Sequence, residues 1–90
     1  MHTTPTRPLR IRRLPYLREA IGLGTTATYE RIGDGRITPP IRLTQRSIGW
    51  PEHEIDAIVA AMIAGRTDDE IRELVRELTE QRQHLARESR

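Results

Sequence analysis

The apolar positions of the first fifty residues fall into short groups, each closed by a glycine or a proline. Leu14, Leu17 and Ile21 recur at helical spacing and share one face. Pro15 suits the first position of that helix, where its missing N–H costs nothing. Gly22 can take the left-handed conformation that ends helices, so the spacing predicts a short helix closing there. Leu23, the apolar residue of the turn Gly22-Leu23-Gly24, is expected to point inward. A second helix is expected from Gly24 or Thr25 to about Asp34, with Thr25 as its N-cap and Gly33-Asp34-Gly35 as its stop. Thr28 and Ile32 lie four apart on its inward face, which leaves Thr25, Thr26, Tyr29 and Glu30 outward.

The period then changes. Ile37–Leu43 and Ser47–Trp50 are short extended runs joined by Thr44-Gln45-Arg46, the pattern of a hairpin. The doublet Pro39-Pro40 excludes helix before it. Strand alternation would turn Ile41, Leu43, Ile48 and Trp50 toward the core and leave Arg42 and Arg46 outside. Pro51 opens a third helix, with Glu52 and Glu54 near its positive end and a broad stripe of Ile55, Ile58, Val59, Met62 and Ile63, closed by Gly65. Thr67 and Glu70 form a capping box for a fourth helix that runs to about His84. Asp68–Arg72 and Arg76–Glu80 are four-apart opposite charges on it.

Composition adds two constraints. With 90 residues, no cysteine and no phenylalanine, the chain is one domain with a thin core of Leu, Ile, Val and a single Trp, and no thiolate metal site. No run of about 18 apolar residues exists to span a membrane. The first ten residues lack a signal peptide's apolar stretch and read as a disordered basic arm. Charge is split along the chain. Residues 1–50 hold nine arginines and three acidic residues, a net +6, whereas residues 51–90 hold six arginines and ten acidic residues, a net −4. A basic half followed by an acidic half suggests a polyanion for the first. The organisation expected is therefore an arm over residues 1–9, a domain over 10–64 and an amphipathic helix over 65–90.

Helix, glycine turn, helix, hairpin, helix is the order of a winged helix-turn-helix, so the fold class expected is mainly α with a small β-hairpin and a C-terminal helical extension. The second helix, about 15 Å long, can offer its first turn to a major groove. Hydroxyls of Thr25 and Thr26 can meet phosphate or base edges, Tyr29 can lie on the sugar–phosphate wall, and Glu30 can accept from a cytosine amino group. Backbone contacts are expected from Arg12, Arg13, Arg36, Arg42 and Arg46. The histidines His2, His53 and His84 have no metal-ligand spacing, and no phosphate loop or nucleophile–base pair is present. No enzyme activity, cofactor or metal is expected.

The stretch from Leu14 to about Ala64 resembles the AlpA-type phage regulatory proteins, MerR-like winged helix-turn-helix domains related to excisionases. The residues that carry the resemblance are Leu14-Pro15, Gly22-Leu23 with Tyr29, Gly35-Arg36 with Pro39-Pro40 and Leu43, Ser47-Ile48-Gly49-Trp50, and Glu54-Ile55. The resemblance implies sequence-specific binding of double-stranded DNA in the cytoplasm, at the nucleoid. Its outcome would be transcription control through RNA polymerase or excision with an integrase. The sequence departs from the family pattern in Gly24-Thr25-Thr26-Ala27, where an arginine is usual at Thr25, and in Glu30, where a basic residue is common. A protein-interaction adaptor is the alternative of another class. Ile71, Leu74, Val75 and Leu78 form a stripe on the last helix with two readings: it pads the thin core, or it pairs with a second copy to give a dimer or cooperative oligomer on DNA.

Overall fold

The computed structural model describes residues 8–88, so most of the expected N-terminal arm lies outside the described residues. In chain order the elements are β1 (Ile11–Arg12), α1 (Leu14–Ile21), α2 (Thr25–Gly33), β2 (Ile41–Arg42), β3 (Ile48–Pro51), α3 (Glu52–Ile63) and α4 (Asp68–Glu88). Four helices and a small antiparallel sheet of order β1-β3-β2 make a winged helix-turn-helix followed by one long helix.

The glycine punctuation works as its chemistry requires. Gly22 sits at φ 75° and its N–H donates to Arg18 O at 2.9 Å, closing α1. Leu17 and Ile21 are buried, and Leu14 and Leu23 pack against them. Thr28 is fully buried and donates its hydroxyl to Gly24 O at 2.7 Å, so α2 meets the core through a satisfied polar residue beside Ile32. Trp50 is also fully buried, and its indole N–H donates to Thr38 O at 2.9 Å. That bond fixes the root of the wing on the core.

The sheet differs from the expected hairpin in two respects. Its first strand, β1, precedes α1 and pairs with β3 through Ile11↔Pro51 and Arg12↔Trp50. The register of β2 on β3 is Ile41↔Gly49 and Arg42↔Ile48. Paired residues share a face, so Ile41 and Leu43 lie on the side opposite Trp50 and do not face the core as alternation within each run suggested. Leu43 is exposed and closes with Ile11 over Gly49, where an added Cβ would sit 2.7 Å from Ile11 Cγ2. The Ile37–Thr38 segment is not strand but a buried connection.

Helix α3 buries Ile55 and Ile58, while Ile63, placed in its stripe by spacing, points to solvent at 82% exposure. The last helix is longer than expected and begins with the capping box: Thr67 N–H donates to Glu70 Oε1 at 2.9 Å and Glu70 N–H to Thr67 Oγ1 at 3.1 Å. Its arginines do not form the four-apart pairs. Arg76 pairs with Glu73, Arg72 with Asp69 and Asp34, and Asp68 with Arg36. Ile71, Val75 and Leu78 are buried in the same core as Leu17 and Trp50, with Leu74 packed against it. The stripe considered for a second copy is therefore covered, at Ile71, Val75 and Leu78, by the chain's own core. Glu54, placed by sequence near a helix dipole, is instead fully buried and gripped by Arg82 of α4 through Nε at 2.8 Å and Nη2 at 2.7 Å.

Candidate nucleic-acid interface

Helix α2 is short and turns Thr28 and Ile32 inward, with Ala27 and Arg31 half-buried beside them. The rest of its length is presented to solvent: Thr25, Thr26, Tyr29 and Glu30 are all exposed. Its N-cap is Gly24, not Thr25, and no side chain caps the first turn. Thr25 is thus the first helical residue, with its hydroxyl outward. The first intrahelical bond goes from Thr28 N–H to Gly24 O, so the N–H groups of Thr25, Thr26 and Ala27 have no partner within the helix. Three such donors at the positive end of the dipole, flanked by two hydroxyls, suit an anionic oxygen.

The wing supplies positive charge. Leu43 N–H donates to Ser47 O at 2.8 Å and closes a tight loop over Thr44-Gln45-Arg46. Arg46 N–H donates to Thr44 Oγ1 at 3.2 Å and Arg42 Nη1 donates to Gln45 O at 3.1 Å, which shapes the loop while both arginines remain exposed. Arg13 is exposed at the N-cap of α1. Arg12 is more constrained. Its Nε donates to Glu52 Oε1 at 2.6 Å, and its guanidinium stacks over the Tyr16 ring at 4.7 Å, yet the side chain keeps 44% of its surface in solvent. One edge of the guanidinium is held by Glu52 while part of the side chain stays in solvent.

Arg36 is placed differently from the other arginines named by sequence. It donates to both Asp34 oxygens at 2.9 and 3.0 Å and lies 3.5 Å from Asp68, with only 20% of its side chain exposed. The hydrogen bond to Arg36, reinforced by the charges of Arg36 and Arg72, holds the Asp34 carboxyl below its usual value, and Asp34 in turn raises Arg36. Two carboxylates thus share this guanidinium, and a fifth of the side chain faces solvent. The capping-box bond from the Thr67 N–H lowers Glu70 in the same way. His53 and His84 lie on α3 and α4, and His2 lies outside the described residues.

What the sequence did not reveal is how the site is held. Glu54–Arg82 and Asp34–Arg72 join residues 28 and 38 apart, and the only sequence signal would have been a carboxylate inside an apolar stripe at Glu54.

The two-helix turn, the outward second helix and the three-stranded wing define a winged helix-turn-helix domain. Residues 10–62 match the family described as prophage CP4-57 regulatory protein (AlpA), and the chain belongs to this family of phage regulators. It is also similar to the uncharacterized protein ORF88 of Enterobacteria phage P4, 33% identical over 69 residues that cover 70% of this chain and 78% of that one. No solved structure matches the chain. Among the described residues, no helix is long and apolar enough to cross a membrane.

Proposed function

We propose that the protein is a sequence-specific double-stranded DNA-binding regulator of phage or mobile-element type. It reads bases with α2 and grips the backbone with Arg12, Arg13, Arg42 and Arg46. The observation that carries this reading is the outward face of α2, where Thr25, Thr26, Tyr29 and Glu30 stand exposed beside an uncapped first turn. The helix itself is nearly neutral: Arg31 is its one basic residue and Glu30 opposes it. Discrimination therefore belongs to α2 and affinity to the arginines around it. Glu30 limits where a phosphate can approach and favours a cytosine amino group opposite it.

The test begins with selection of bound duplexes from random DNA, followed by titration at several salt concentrations. Four neutralised phosphates give a slope of log affinity against log salt of about −3.6. Thr26→Ala and Tyr29→Ala should weaken the selected site far more than random DNA. Equal losses on both would remove α2 as the reading element. Arg42→Ala with Arg46→Ala should weaken every duplex and flatten the slope by about two units. An unchanged slope would remove the wing contact.

A further inference from the structure

The connection from α2 to the wing runs from Asp34 to Pro40, and three of its carbonyl oxygens are held by side chains from later in the chain. Asp34 O accepts from Arg72 Nε at 2.9 Å, Thr38 O from Trp50 Nε1 at 2.9 Å, and Pro39 O from Arg82 Nη2 at 2.9 Å. Between them the backbone bonds of Arg36 and Ile37 to Arg31 O, at 2.8 and 3.3 Å, keep the chain wound against the end of α2. The segment carries no strand or helix, yet it is not a free loop.

Two of the three donors belong to α4. They stand ten residues apart, about 15 Å along the helix. Each is itself anchored: Arg82 on the buried Glu54, Arg72 on Asp69 at 2.9 Å and on the Asp34 carboxylate at 3.9 Å. Gly35, at φ 86°, leaves its open side to the Arg72 stem, whose Cγ would lie 3.8 Å from a Cβ there. The apolar stripe of α4 already accounts for its burial. The arginines do something the stripe cannot, because each reaches a particular backbone oxygen at one end of the same connection.

We infer that α4 is the brace that fixes the recognition helix relative to the wing, and that Arg72 is a positioning residue for base discrimination. The second part rests on the DNA-binding reading above. A duplex read by α2 and gripped by the wing tolerates little error in their separation, since base contacts require placement to about half an ångström. Attraction to phosphates tolerates much more. Loosening the brace therefore lowers discrimination before it lowers affinity for random DNA.

Arg72→Met and Arg72→Lys in the full chain test both parts. Hydrogen exchange of the free protein tests the brace without DNA. In Arg72→Met, amides between residues 30 and 40 should exchange roughly threefold to tenfold faster, with the helices elsewhere unaffected and Arg72→Lys intermediate. Unchanged exchange, or uniform acceleration of the whole domain, overturns the brace. On DNA, the affinity ratio of selected to scrambled duplex should fall about fivefold with the same salt slope, and Arg72→Lys should recover part of it. An unchanged ratio, or a slope flatter by about one unit, overturns the positioning role, the latter because Arg72 would itself be a phosphate contact. If the unaltered protein binds no duplex, the DNA-binding reading and the discrimination role fall together, while the exchange result still decides the brace.

Discussion

Replacing Arg82 with Met should cost this small domain a large part of its stability. Glu54 is fully buried, and two charge-assisted bonds at 2.8 and 2.7 Å from Arg82 are what the structure offers its carboxylate. Removing one partner of a buried pair leaves an uncompensated charge, at a cost of about 3–5 kcal/mol. Arg82 keeps 20% of its side chain in solvent, which places the expected loss near the lower end, about 3 kcal/mol. Pro39 O loses its donor as well, which contributes about 1 kcal/mol. A domain of this length has a total stability of roughly 5–13 kcal/mol, so the variant approaches the edge of folding. The double variant Glu54→Met with Arg82→Met removes the stranded charge and should recover most of the loss. Urea unfolding at pH 7, followed by tryptophan fluorescence from buried Trp50, measures all three proteins against the parent. A loss below about 1 kcal/mol in the single variant, or a double variant no more stable than the single one, would refute the view that this pair holds α4 on α3 and the wing root.

Two further outcomes follow from the geometry. Gly49→Ala places a Cβ 2.7 Å from Ile11 Cγ2 and 3.0 Å from Arg12 O, so β1 must shift; thermal unfolding should show a loss of about 1–3 kcal/mol, and an unchanged midpoint would contradict the register of β1 on β3. The Asp34 and Glu70 carboxyls lie below their ordinary values, so their contribution is present above the unfolded values and is lost as pH falls through the lower folded ones. Unfolding midpoints of the parent should drop below about pH 4.5, and those of Asp34→Asn with Glu70→Gln should start lower and converge with the parent in acid; parallel curves would count against both contacts.

Much of the architecture was legible in the residues. The turn Gly22-Leu23-Gly24, the inward Thr28, the capping box at Thr67 and the outward face of α2 each follow from local chemistry, and local chemistry is what a single sequence displays. Register is not local. Whether Leu43 faces Trp50 depends on which residue of β3 it lies beside, and a one-residue slip reverses the face. A strand of two residues such as β1 has no periodicity to detect. The arginines were legible as a basic set but not individually, since Arg36 lost its freedom to Asp34 and Asp68, and Arg12 part of its to Glu52. The stripe of α4 was visible, but its occupant was not: an apolar face reads the same whether its own core or a second copy covers it.

The burial of Ile71, Val75 and Leu78 beside Leu17 and Trp50 also means that the core closes only after α4 has been synthesised. A ribosome delivers α1, α2 and the wing first, and at roughly 5–20 residues per second it takes a further second or more to add α4. Until then the nascent chain has its basic surface but not the side chains that close its core. A product interrupted before α4 would expose apolar side chains of this core to proteases and chaperones. The packing of the elements made first is thus coupled to the arrival of a helix translated after them.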